Sequence, residues 1–181
     1  VINLNEVNLM LKHITFDHTD TRVRKYLTPK KILLTRGTWH GEERLLNYKN
    51  RQLGTHEPEV TTLVSTEEER AGILLDFGTE IHGGISLSLF RIRDGEEVTV
   101  RVCFGESANE ALSHIGEKNA TNDHSMRDFE IRTKSWTTTE CGATGFRFVY
   151  LEFVTPAKIN LKTVQAVMVY QPYDYIGSFE C

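Results

Sequence analysis

Two β-rich motifs constrain this chain more than anything else in it. The first is Gly72-Ile-Leu-Leu-Asp-Phe-Gly-Thr-Glu-Ile-His-Gly-Gly84, which runs directly into Ile85-Ser-Leu-Ser-Leu-Phe90. The second is Thr144-Gly-Phe-Arg-Phe-Val-Tyr-Leu-Glu-Phe153. Both set glycine beside aromatic residues, and neither shows helical periodicity. In the first, Ile85, Leu87 and Leu89 alternate with Ser86 and Ser88, which predicts a strand with its leucines on a core face. Glycine inside a strand pattern marks a bulge or a close backbone approach.

Strand signals recur around these motifs. Lys31–Arg36 and Val60–Ser65 read as strands, with a mixed, charged connection over residues 38 to 57. Ile73–Phe77 and Ile85–Ile92 read as two successive strands. Asp94-Gly95 is a strong turn dipeptide, and Val98, Val100 and Val102 then share one face of a strand over Glu97–Gly105. Residues 106 to 126 are polar, show no period, and read as a long loop, a feature that is often functional in a compact domain. Strands resume at Asp128–Arg132, Thr137–Thr139, Phe146–Val154 and Leu161–Tyr170. Many short strands at close spacing predict an all-β fold: a two-sheet antiparallel sandwich of jelly-roll character. Pro29 marks the boundary between an N-terminal lead-in, residues 1–30, and the sandwich domain, residues 31–181.

Composition narrows the function classes. A chain of 181 residues can bury about 70% of its unfolded surface, so it needs no disulfide or metal staple. The net charge is −4, with both signs interspersed, and no basic stripe points to nucleic acid. The apolar runs are too short for a membrane-spanning helix. Cys103, Cys141 and Cys181 are odd in number and widely spaced, as expected of free thiols rather than of a disulfide framework or zinc site. No signal-peptide pattern is visible. The first residue, Val1, points to a piece of a longer or processed protein.

The order of motifs resembles the β-sandwich domain that precedes the catalytic barrel in bacterial α-L-rhamnosidases and related glycoside hydrolases. Asp76-Phe77-Gly78 followed by Gly83-Gly84 matches a strand ending in Asp-Phe-Gly and a glycine opening the next strand. Val98 to Gly105-Glu106 matches a valine-rich strand ending in a Gly-Glu pair. Asn119 to Arg127-Asp128-Phe129 matches the long Asn/Asp-rich loop and the strand after it, and Gly145-Phe-Arg-Phe-Val149 matches the next landmark. Arg22 to Ile32 is similar to the usual approach to this region, and Gly177-Ser-Phe-Glu-Cys181 to the junction into the first barrel helix. One departure is Trp136, after which no proline follows.

The resemblance implies a non-catalytic accessory domain whose partner is an (α/α)₆ barrel of the same parent protein. The parent reaction it implies is cofactor-free, inverting hydrolysis of terminal α-L-rhamnose. Glycoside hydrolysis needs two suitably spaced carboxyl groups, and no position here matches the barrel's catalytic motifs, so no catalytic residue is assigned. Asp76, Glu80 and Glu106 remain as carboxylates at strand ends, where capping and solvation are the ordinary roles. Asp76-Phe77-Gly78 itself reads as a turn, with Phe77 buried and Gly78 at positive φ. Arg147 is expected to pair with a carboxylate such as Asp128 or Glu152.

The alternative function is a free carbohydrate-binding module for rhamnose-containing glycans. Sugars pack CH faces on exposed aromatic rings and need polar partners for hydroxyls. Candidate contacts are Trp39, His82, Asn119, Asp123 and Trp136. Asn119, Asn122, Asp123 and His124 supply too few carboxylates for a calcium loop, so no metal is expected there.

Overall fold

The computed structural model describes residues 20–56, 59–115, 127–174 and 176–178. Among the described residues nine strands carry the fold: β1 (Val23–Leu27), β2 (Lys31–Arg36), β3 (Thr38–His40), β4 (Thr61–Ser65), β5 (Ala71–Arg93), β6 (Glu97–Gly105), β7 (Asp128–Lys134), β8 (Thr137–Phe153) and β9 (Ala157–Tyr170). A short helix, α1 (Ala108–Leu112), and a 3-10 turn at Glu42–Leu46 complete it. No helix among the described residues is long and apolar enough to cross a membrane.

All pairings described are antiparallel, and two long strands turn them into a sandwich. In one layer β2 pairs with residues 72–76 of β5, whose other edge pairs with residues 148–153 of β8, followed by β6 and β7. In the other layer β3 and β4 lead to β9, then to residues 83–93 of β5, then to residues 137–146 of β8. β1 adds to β9. β5 and β8 therefore pass together from one layer to the other, with register shifts between Asp76 and Ile81 and between Gly83 and Ile85. This is the expected all-β sandwich, but β5 and β8 are each one long bent strand where the sequence suggests two shorter ones.

Glycine makes the bend. Gly78 and Gly142 lie at φ 82° and 89°, and Gly83 at φ 149°. The Asp76 carboxylate accepts the Gly78 N–H at 2.7 Å. Asp76-Phe77-Gly78 is thus a bulge inside a continuous strand, not a free turn. The expectations of a buried Phe77 and a positive φ at Gly78 hold.

Phe77, Phe104 and Phe146 fill the core below this bend. Phe146 meets Phe77 edge-on, with ring centroids 5.9 Å apart, and Phe104 at 4.7 Å. A smaller apolar cluster, Leu74, Cys103, Ala111 and Tyr150, lies apart from this core. There Ala108 and Leu112 bring α1 against the first layer. The helix falls inside the stretch expected to be loop. Ser107 caps it, and the Glu110 carboxylate returns to the Ser107 N–H, a reciprocal capping box.

Cys103 and Cys141 are free thiols, and burial pushes both up to about 12. Cys181 lies outside the described residues.

Two ion pairs hold neighbouring strands. Arg147 grips Asp76 with two bonds of 2.8 and 3.0 Å, and Arg101 grips Asp128 at 2.7 and 2.5 Å. Arg147 therefore pairs with neither of its expected partners, because β8 meets β5 at Asp76 while Asp128, opposite Cys103, is bonded to Arg101. The hydrogen bonds from Arg147 hold Asp76 below the usual carboxylate range. For Asp128, burial acts upward but the Arg101 bonds outweigh it, and the net shift is down. Folding thus favours both ionised forms. Their stabilisation is present above about pH 4, the unfolded range, and is lost as pH falls through the folded values. Asp76→Asn is expected to narrow the gap between urea midpoints at pH 7 and pH 3. An unchanged gap counts against the Asp76 assignment.

The terminal unit, residues 1–23 and 171–181, is described only in part. Within it the Thr21 and Gln171 side chains are hydrogen-bonded at 2.7 Å.

Candidate functional site

Of the carbohydrate-contact residues picked from sequence, Trp39, His82 and Trp136 are among the described residues, and each lies on a different element or turn. Trp39 on β3 is half-buried, donates its indole N–H to the Arg36 carbonyl at 2.8 Å, and meets Phe153 edge-on at 6.0 Å. It is a packing residue. His82 is exposed on β5 opposite Gly145. Asn119 and Asp123, with Asn122 and His124, lie outside the described residues. Trp136 is 51% exposed at the β7–β8 hairpin. It holds φ at 62°, rare for a bulky residue, while its backbone N–H reaches the Phe90 carbonyl at 3.2 Å. Its ring sits 4.6 Å from that of Phe90.

A charged rim lies near the strand bend. Arg127 donates to Glu106 at 2.7 Å and to the Thr144 hydroxyl at 3.2 Å, with Glu110 at 3.9 Å. Desolvation and then the charge of Glu106 push the Glu80 carboxyl up. Of the three carboxylates considered from sequence, Glu80 thus lies near Glu106, and Arg147 interacts with both Asp76 and Glu80. Arg147 occupies Asp76, however, and Arg127 occupies Glu106, so these two are set as structural ion pairs.

The site that sequence reasoning missed is on the outer face of the second layer. The alternation that sends Ile85, Leu87 and Leu89 into the core sends Ser86 and Ser88 outward. Ser86 pairs with Gln165 of β9 in register, and Ser88 with Thr163. Residues 48–54 carry no regular secondary structure and lie over this polar face. Gln165 donates to the Lys49 carbonyl at 3.2 Å, and Thr138 to the Arg51 carbonyl at 3.2 Å. Lys162 donates to the Gln52 carbonyl and, at 3.3 Å, to Asn50 Oδ1.

Between this segment and the sheet is a cleft of about 250 Å³, lined by residues 48–52, Tyr26 and Gln165. Glu140 knits one side of it, accepting Arg24 at 2.7 Å, Arg51 at 2.6 Å and the Tyr26 hydroxyl at 2.9 Å. The Arg51 guanidinium also stacks 3.5 Å from the Tyr26 ring centroid, a cation–π contact. Tyr48 is 75% exposed. The sequence signal for this face was available in the serines of Ile85–Phe90, but nothing local ties them to residues 48–52.

No family model matches the chain, and no curated protein matches it. Solved structures do share its fold. A GH78 family rhamnosidase of Bacillus sp. GL1 matches over 77% of this chain with TM-score 0.53 and 18% identity. A rhamnosidase from Klebsiella oxytoca with rhamnose bound matches over 82% with TM-score 0.53 and 12% identity. A truncated AlyQ with CBM32 and alginate lyase domains matches over 82% with TM-score 0.50 and 8% identity. The chain spans 13%, 29% and 34% of those three chains. It therefore has the fold of a β-sandwich that also occurs within much larger rhamnosidase chains.

Proposed function

We propose that this chain is a non-catalytic, carbohydrate-associated β-sandwich of a glycoside hydrolase of the α-L-rhamnosidase kind. One observation carries the reading: the separate motifs of the sequence resemblance meet as neighbours in space. Asp76 of the first motif is opposite Phe148 and bonded to Arg147 of the last. Gly105 of the valine motif is also opposite Phe148, and Asp128 is opposite Cys103 on the next strand. Motifs that build one continuous patch of sheet are a fold signature rather than a chance string. The sandwich fold found within two larger rhamnosidases supports the same reading, although fold alone does not assign function.

The role of the chain in that parent protein is to pack beside the (α/α)₆ barrel and to present a surface to rhamnose-containing glycans. Leu33, 46% exposed on the edge strand β2, suits interdomain packing. Two assays test the reading. Affinity electrophoresis should show the chain retarded by a rhamnose-containing polysaccharide; unaltered migration would sink the sugar-surface role. An aryl α-L-rhamnoside should not be hydrolysed by the chain alone; release of the aglycone would sink the non-catalytic assignment.

A further inference from the structure

The geometry points to the cleft between residues 48–52 and the outer face of β9 as a binding site for one uncharged pyranose ring, with Tyr48 as the stacking plate and Gln165 as the hydroxyl acceptor. This assignment rests on the carbohydrate-associated reading above and gives it a place and a ligand class.

The first support is unmet polar chemistry. Gln165 is only 2% exposed and lines the cleft. Its amide nitrogen is used on the Lys49 carbonyl, while its Oε1 has no partner among the described residues. Ser86 Oγ and Thr163 Oγ1, on the same sheet face, are likewise buried without partners. Nearby Ser88 is satisfied by the Thr138 hydroxyl at 2.9 Å. A buried acceptor left unmade is costly, and apolar residues of similar shape would remove the cost. A ligand hydroxyl donated to Gln165 offsets it. Reaching the amide requires a side chain of the overlying segment to shift, a movement that belongs to the proposal.

The second support is the state of the charges. Each cation around the cleft already has an oxygen partner. Arg24 and Arg51 converge on Glu140. Lys49 donates to the Glu59 carbonyl, with the Glu59 carboxylate at 3.7 Å, and Lys162 is held by Gln52 and Asn50. A uronic acid or a phosphate would have to displace one of these bonds. A neutral ring displaces none. It needs an apolar face, which Tyr48 offers in the open, and a neutral acceptor, which Gln165 offers beneath. The cleft is smaller than the usual drug-sized pocket of roughly 300–1,000 Å³, which suits one ring better than a chain of them.

The test is isothermal titration of the whole chain with methyl α-L-rhamnoside, and with galacturonic acid as the charged probe. Wild type, Tyr48→Ala, Gln165→Leu and Trp136→Ala are compared, each with a thermal melt. The expected result is saturable binding of the neutral glycoside, weakened about tenfold or more by Tyr48→Ala and Gln165→Leu and unaltered by Trp136→Ala. Tyr48 is exposed, so its variant reports on binding even if Gln165→Leu is poorly folded. Binding lost in Trp136→Ala but kept in Tyr48→Ala overturns the cleft and leaves the carbohydrate reading standing. Equal or tighter binding of galacturonic acid overturns the uncharged class. Absence of binding by folded wild type overturns both the cleft and the sugar-surface reading.

Discussion

Gly83→Ala is expected to prevent this chain from folding to its native state. An added Cβ would lie 1.9 Å from the Val167 carbonyl oxygen and 3.0 Å from its carbon. Those atoms belong to the backbone of β9, so no rotamer change relieves the clash. The φ of 149° adds strain of its own, because residues with a Cβ rarely adopt it. Relief requires β9 to move away from β5, breaking the ladder from Gly83↔Met168 through Ser88↔Thr163. Costs above about 4–5 kcal/mol are exceptional for one substitution, and whole domains hold only about 5–15 kcal/mol. Circular dichroism should show no cooperative melt, or the variant should be insoluble. A melt within a few degrees of wild type would contradict the register at the bend.

Phe146→Ala is expected to destabilise the protein by about 3–5 kcal/mol, the usual range for truncating a buried phenylalanine. The ring is fully buried and contacts both Phe77 and Phe104. Phe77 belongs to the bulge of β5 and Phe104 to β6, so one truncation loosens two pairings of β8. The space left is walled partly by Phe104, whose ring lies close enough to Gly142 that a Cβ there would be 2.6 Å away. That ring is wedged against backbone and collapses poorly into the gap. Phe148→Ala, two residues on and only half-buried, is the comparison and should cost clearly less. Urea unfolding distinguishes them; equal losses would mean that Phe146 is not at the centre of the core.

Local pattern made the strands legible and left their joining hidden. Alternation fixes which side of β5 is apolar, and that reading survives at Ile85, Leu87 and Leu89. It does not say that Ile73–Phe77 and Ile85–Ile92 are one strand, because a bulge keeps the ladder going while breaking the period. Glycines at Gly78 and Gly83 read equally well as a turn. The Arg147 partner was missed for a related reason: it depends on the β5–β8 register, which long-range pairing sets. Helix α1 had a visible signal in Ser107-Ala-Asn-Glu110, the Ser-x-x-Glu capping box, but it is too short for periodicity to register.

The candidate site was less legible still. Exposed aromatics can be guessed from loop positions, and Trp136 is such a case, whereas Trp39 went to packing. The Gln165 cleft is made from β1, the segment after the 3-10 turn and β9, elements remote in sequence. Nothing in the neighbours of Gln165 marks it, since its two flanking residues, Val164 and Ala166, read as ordinary strand. Only the overlying segment, held by Gln165, Thr138 and Lys162, turns three outward polar residues into a buried floor.

The most direct measurement is a two-dimensional amide spectrum of the labelled chain, followed as a rhamnose-containing oligosaccharide is added. Saturable shifts are expected, starting from a well-dispersed β-sheet spectrum and concentrated at Tyr48 to Gln52, Tyr26 and Gln165. A folded spectrum unmoved by any rhamnose-containing sugar would contradict the carbohydrate reading.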